Sequence, residues 1–293
     1  MLDDVVAEAI RRGWGLEVDP GDVERLHGGQ ESVVVRVGDR VVRVGPSWRG
    51  VDDLRWSGRV AVAAAVEVPE VVAPISTVDG AGVVCAAGRP ITVWPFVAGT
   101  HGDDRDADQR RQAAQLLARV HRALERTTFE APPHRTVPEV AVPDLADAEL
   151  DAWLDDFRAG HRRRHAVHGD FYAANILVRS GTLVGLVDWD EATLAPPEWE
   201  LAGAAWEWGD GLTTLDLTAA RRFIEDYLRV GGTVTAMDET TLRQLIRSRI
   251  RSEVAYDRAT TGPDGLSAED RAYQRRQLQA FRALRPNPAR NIP

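Results

Sequence analysis

The 293-residue chain contains no lysine; all 36 basic residues are arginine. A phosphate loop of the G-x-x-x-x-G-K-[ST] type is therefore impossible, as are a lysine Schiff base and a Ser-Lys pair. Any side-chain cation that clamps phosphate must be arginine. Cys85 is the single cysteine, so no disulfide can close within the chain, which fits a reducing cytoplasm. No apolar run approaches the ~20 residues needed to span a bilayer. The opening MLDDVVAEAIRRGWG reads as an amphipathic helix with early acids. It lacks the basic start and long apolar centre of a signal peptide. Internal repeats and low-complexity segments are also missing. Positive charge is in deficit, with a net charge of −9, which argues against general nucleic-acid binding. The expectation is a cytoplasmic protein, monomer or homodimer, with neither nucleic acid nor membrane as partner.

What is present divides in two. Residues 1–12 read as helix. The stretch VERLHGGQESVVVRVGDRVVRVG (23–45) reads as strand, Gly-rich turn, strand, tight Gly38-Asp39 turn, strand. Residues 52–66 read as a short helix, and 70–99 return to strands with glycine turns. After Gly99 the character changes. QRRQAAQLLARVHRALE (109–125) places Leu116, Leu117, Val120 and Leu124 on one helical stripe. A Pro-rich connection covers 132–147, and a helix is expected up to about Ala159. Beyond a short hairpin the remainder reads mainly as helix, with Gly231-Gly232 as one stop and Ser267 as one N-cap. This predicts an α+β fold: a β-rich lobe over 1–97 and a mainly helical lobe over 98–293. A ligand cleft is expected at the junction near Thr92–Gly99.

The stretch HGDFYAAN (168–175) sets Asp170 five residues before Asn175. The run ILVR (176–179), the turn Ser180-Gly181 and the run TLVGLV (182–187) then form a hairpin that returns Asp188 to Asn175. An amide and a carboxylate are hard oxygen donors that suit Mg²⁺, which keeps several waters and takes few protein ligands. Asp170 stands just ahead, placed to accept a proton from an attacking hydroxyl. The spacing D-x-x-x-x-N is that of the kinase catalytic loop. Each fragment alone could be an ordinary turn. Acid, amide and second acid joined by a hairpin point to a magnesium-dependent phosphoryl-transfer site.

VHGDFYAANILV followed by GLVDWDEA resembles the aminoglycoside phosphotransferase and choline kinase superfamily, the small-molecule relatives of protein kinases. The likeness extends to LHGGQESVVVRV as a nucleotide-covering hairpin, VVRVG as a third strand, TVWPFVAG as a hinge and LLARVHRAL as the helix after it. The resemblance implies a protein-kinase-like two-lobe fold with ATP (or GTP) and Mg²⁺ as cofactors. It implies Asp170 as catalytic base, and Asn175 and Asp188 as metal ligands. Arg43 would contact the α/β-phosphates, and its planar fork suits them. Gly28, Gly29, Gln30 and Ser32 would cover the phosphates. At the hinge the Pro95 carbonyl would accept from adenine and the Val97 amide would donate to it; proline, lacking N–H, fits only the first place. A helix acid, Asp52 or Asp53, would pair with Arg43, and the cofactor-side choice is Asp53. Glu200, in EWELAG, would brace the catalytic loop.

Too few residues separate Asp188 from PPEWELA for a protein-kinase activation loop. The expected acceptor is a hydroxyl of a small molecule. Asp190, Glu198, Trp206 and Asp210 are candidate acceptor contacts, because carboxylates beside aromatic faces suit an ammonium group. Aminoglycosides and basic peptide antibiotics fit that chemistry. Two alternatives stand beside it: a metabolite kinase for choline, homoserine, a sugar or a fructosamine, and a nucleotide-binding pseudokinase regulator.

Overall fold

Buried valines two residues apart on each of two adjacent strands build the core face of the first sheet. The structure is a computed structural model that describes residues 2–19, 21, 23–26, 32–133, 142–160, 163–261 and 267–286. Strands β1 (Val23–Arg25), β2 (Val33–Val37), β3 (Arg40–Val44), β4 (Val84–Ala86) and β5 (Arg89–Pro95) form an antiparallel sheet in the order β1-β2-β3-β5-β4. Val35, Val37, Val42 and Val44 point to its buried face, where Ile91 and Val93 join them. Helix α1 (Asp4–Trp14) lays Val6 and Ile10 on the same core. Its N-cap Asp3 accepts from the Val6 N–H at 2.8 Å, which satisfies one of the otherwise open first-turn donors.

Helix α2 (Val51–Ala65) follows β3 in sequence but belongs to the other core. Trp56, Val60, Ala61 and Ala64 form a helical stripe that packs with the C-terminal helices. The connection after it is tied to the same side. Leu186 N–H donates to Glu70 O at 2.7 Å, and Val72 N–H to Leu186 O at 3.0 Å.

The helical lobe contains α3 (Ala107–Glu125), α4 (Ala148–Ala159), α5 (Pro197–Trp208), α6 (Gly211–Thr214), α7 (Thr218–Arg229), α8 (Glu239–Thr261) and α9 (Ala268–Ala283). Leu116, Leu117, Val120 and Leu124 of α3 are fully buried, each contributing roughly 1.5–3 kcal/mol by leaving water. Buried Arg247 of α8 donates to the α4 N-cap Asp147 and to Phe281 O of α9, joining three helices. The expected hairpin forms as β8 (Ile176–Arg179) and β9 (Thr182–Leu186). Three further strands carry no residue pattern, because each spans two or three residues. β6 (Thr100–His101) pairs with β8, and β7 (His165–Val167) pairs with β10 (Thr193–Ala195). Among the described residues, no helix is long and apolar enough to cross a membrane.

Candidate active site

β7 ends at Val167 and the chain turns sharply through His168, Gly169 and Asp170. Gly169 has φ +88°, and a Cβ there would lie 2.0 Å from the Glu191 carbonyl oxygen. Both backbone angle and space therefore demand glycine. Glu200 on α5 reaches under the turn, accepting from the backbone N–H of Gly169 and of His168. It also accepts from His121 Nε2 at 2.7 Å. His121 must donate here, since an ionised carboxylate only accepts. Its Nδ1 lies 2.8 Å from the Tyr227 hydroxyl. Burial pushes the Glu200 carboxyl up, but the hydrogen bond and charge of His121 outweigh it and hold the group below the ordinary carboxylate range. The backbone of the turn is thus clamped by a buried anion.

The hairpin returns Asp188 to this turn. Ile176 pairs with Leu186, and Val187 N–H donates to Asn175 O at 3.0 Å. His168 Nε2 lies 3.0 Å from Val187 O on the other side. Asp188 itself is in the left-handed region at φ 60°, a conformation that short polar side chains tolerate. Asn175 is buried, and its Nδ2 donates to Asp170 O at 2.8 Å and Asp170 Oδ2 at 3.0 Å. With its donor side turned to Asp170, the amide presents its carbonyl oxygen elsewhere. That oxygen and the Asp188 carboxylate are hard donors, the pair that fits a magnesium ion.

Arg43 on β3 enters from the sheet. Its Nη1 lies 2.7 Å from Asp188 Oδ1 and its Nη2 3.1 Å from Asp190 Oδ2. Burial raises the Asp188 carboxyl, but Arg43 outweighs it and the net direction is down. For Asp190, burial and the neighbouring Asp188 together push the carboxyl up. Arg49 stands alongside, 2.9 Å from Glu191.

A cavity of about 190 Å³ opens beyond Asp170. Asp104, Trp206, Glu207, Asp210, Glu253 and Tyr273 line it. Arg249 of α8 joins it to the turn at Asp170: it lies 3.2 Å from Asp170 Oδ1, 2.7 Å from Glu253 and 3.7 Å from Glu207. Burial first, then Asp210 and Asp103, raise the Asp104 carboxyl. Glu207 is pushed up to about 7, chiefly by burial.

The model of the phosphotransferase enzyme family, labelled APH, matches residues 22–245. The chain belongs to this family. Among curated proteins it is similar to the homoserine kinase of Zymomonas mobilis, with 26% identity over 42% of this chain and 44% of that protein. The homoserine kinase of Pseudomonas aeruginosa matches at 26% identity over 52% and 53%. The chain spans about half the length of these curated relatives. Among solved structures, the amicoumacin kinase hAmiN with AMP-PNP, Ca2+ and Ami superposes at TM-score 0.72 with 12% identity, over 95% of this chain and 92% of that one. The aminoglycoside phosphotransferase APH(4)-Ia with AMP-PNP and hygromycin B gives TM-score 0.60 and 17% identity, over 91% and 95%. These similarities establish a kinase-like two-lobe fold.

In this family member the sequence-expected residues separate into groups. Asp170, Asn175, Asp188 and Arg43 converge. Pro95 ends β5 and Val97 follows outside any strand. Ser32 stands just before β2, while Gly28, Gly29 and Gln30 lie outside the described residues. The expected pair between Arg43 and Asp53 is replaced by Arg43 with Asp188 and Asp190. Asp53 is the third residue of α2, and its carboxylate folds back to the N-cap Gly50, where a Cβ would meet Oδ2 at 2.9 Å. Asp52 pairs with Arg55 at 3.0 Å. Of the expected acceptor contacts, Trp206 and Asp210 line the cavity. Asp190 is drawn to Arg43 instead, and Glu198 is not part of the lining. Sequence reasoning missed Arg249, Glu253, Asp104 and Arg49. A signal for two of them existed: positions 242, 245, 246, 249, 250, 253 and 254 share one helical face, and Arg249 and Glu253 interrupt its apolar run.

Proposed function

We propose that this chain transfers the γ-phosphoryl group of ATP to a hydroxyl of a cationic small molecule, in the class of aminoglycosides and basic peptide antibiotics. The observation that carries the reading is the convergence of Asp170 and Asn175 of one turn, Asp188 at the end of the following hairpin and Arg43 of the distant sheet, with a cavity lined by four carboxylates nearby. Asn175 and Asp188 would hold Mg²⁺, which when bound supplies positive charge against the phosphates. Arg43 turns its planar fork from Asp188 and Asp190 to phosphate oxygens. Asp170 orients the acceptor hydroxyl and takes its proton as the new P–O bond forms and the bond to ADP breaks. The Pro95 carbonyl and Val97 amide are the adenine contacts of this reading, and the lobe boundary falls at 97/98. A cytoplasmic reaction belongs to this reading, supported by ATP as donor and by the free Cys85.

The homoserine kinase relatives favour a second reading, a metabolite kinase. The cavity argues against a zwitterionic acceptor. An incoming carboxylate would face Asp104, Glu207, Asp210 and Glu253, and Arg249 already serves three carboxylates. Arg276, also in the lining, is exposed on α9.

The test is ADP release from Mg·ATP across a panel of aminoglycosides, basic peptide antibiotics, macrolides, choline and homoserine. Stimulation by a polyamine antibiotic is the expected result, with kcat lowered roughly 10²-fold or more in Asp170→Asn and ATP affinity kept. Stimulation by homoserine alone would replace this reading with the second one.

A further inference from the structure

Asp170 is held from two sides, and only one of the two holders lies in the catalytic motif. Asn175 Nδ2 takes Oδ2 at 3.0 Å, and Arg249 Nη2 takes Oδ1 at 3.2 Å. Arg249 lies beyond residue 245, where the family match ends. We propose that Arg249 is the positioning residue of Asp170, fixing the plane of the carboxylate that receives the acceptor proton. The inference rests on the assignment of Asp170 as the base.

The terminal torsion of aspartate is broad, so a single anchor leaves its carboxylate free to rotate. Two donors on opposite oxygens remove that freedom. Arg249 is in turn fixed by its surroundings. Its Nε lies 2.7 Å from Glu253 Oε1 and 3.7 Å from Glu207 Oε1. Gly203 on α5 makes room for it: a Cβ there would stand 3.0 Å from Arg249 Cδ and 3.3 Å from Nη1. The distances also set the balance of charge. The contact to Glu253 is short and the one to Asp170 is at the long end of the hydrogen-bond range. The hydrogen bond of Arg249 goes to Asp170 Oδ1, whereas Nε against Glu253 is a charge contact without hydrogen-bond geometry; Oδ1 keeps a second lone pair for the hydroxyl. Asn175 must also serve the metal, which leaves Arg249 as the holder with no second partner in the transfer chemistry.

The experiment follows ADP release from Mg·ATP with water as the acceptor, so no acceptor need be identified. The proteins are wild type, Arg249→Gln, Arg249→Lys, Gly203→Ala, Asp170→Asn and the double variant Asp170→Asn/Arg249→Gln. Arg249→Gln is expected to slow kcat roughly 10-fold with the KM for ATP within about twofold, since a small misplacement of the reacting group costs rate rather than binding. Arg249→Lys should recover part of that loss. Gly203→Ala keeps the charge and shifts the side chain, so it should slow turnover even where Arg249→Gln fails to fold. The double variant should be no slower than Asp170→Asn, because one function cannot be lost twice. Wild-type turnover in both Arg249→Gln and Gly203→Ala would overturn the inference, as would losses that multiply in the double variant. Wild-type turnover in Asp170→Asn would instead overturn the base assignment itself.

Discussion

The two ends of the site handle negative charge in opposite ways. At the transfer end each acid has an arginine from the sheet-rich lobe close by: Asp188 and Asp190 share Arg43 at 2.7 and 3.1 Å, and Glu191 has Arg49 at 2.9 Å. At the acceptor end Asp104, Glu207, Asp210 and Glu253 surround one cavity, and Arg249 pairs with two of them while also holding Asp170. In the first arrangement every acid touches an arginine, so on the proposed function it must open when a metal–nucleotide complex arrives. The second is short of positive charge, which suits the cationic acceptor of the proposed function. On that proposal the difference keeps a polyanion on one side and a cation on the other without the two exchanging places.

Removing the acid at the centre of the first arrangement should have the largest effect. On the proposed function, Asp188→Ala deletes a metal donor, and it leaves Arg43 with Asp190 alone. Mg·ATP affinity is expected to fall roughly 10²-fold, as for loss of a direct ligand rather than of its supports. A nucleotide titration with and without Mg²⁺ checks it. The magnesium-free affinity should change little, and an unchanged Mg·ATP affinity would remove Asp188 from the metal role.

Glu200 comes next. It accepts from His121 and from two backbone N–H groups inside the core. Glu200→Gln turns an NH₂ toward donors that need an acceptor, at a cost of about 1–3 kcal/mol for a buried unsatisfied group. Thermal unfolding should show Tm lowered by several degrees. If Tm is unchanged, the transfer end does not depend on this anion for its shape.

These two residues also mark what was legible in sequence. The turn, the hairpin and the acids at both its ends lie within about twenty positions, and their roles follow from local spacing and from two turn residues. Glu200 was reachable only through the family resemblance, which implies a bracing acid in EWELAG after the hairpin. Arg43's partner was misassigned because pairing depends on where α2 sits, and the stripe of Trp56, Val60 and Ala64 carries that helix to the larger core. The acceptor end was mostly illegible. Its lining comes from α5, α8, α9 and the loop before α3, elements brought together only by packing. Asp190 and Glu198 looked like acceptor contacts because they follow the metal acid in sequence, but β10 and α5 turn them elsewhere. An acid's place in the chain could not show which arginine would claim it.

The smallest expected effect tests the second arrangement most directly. Burial, with Glu253, Asp170 and Asp104 adding to it against Arg249, sets Glu207 at about 7. Between pH 6 and pH 8 the group passes from mostly protonated to mostly ionised, while an acceptor amine stays protonated. Cation affinity measured by calorimetry should therefore rise with pH, by roughly threefold to tenfold for one added partly screened charge. Glu207→Gln should flatten that rise. Stability moves the other way. The folded carboxyl titrates near 7 and the unfolded one near 4.5, so between these values the folded chain holds the extra proton and stability is lost as pH rises. Glu207→Gln should then raise Tm at pH 8 and change it little at pH 4.5. If instead it lowers Tm at pH 8, the carboxylate is already compensated by Arg249, and the acceptor end is as fully paired as the transfer end.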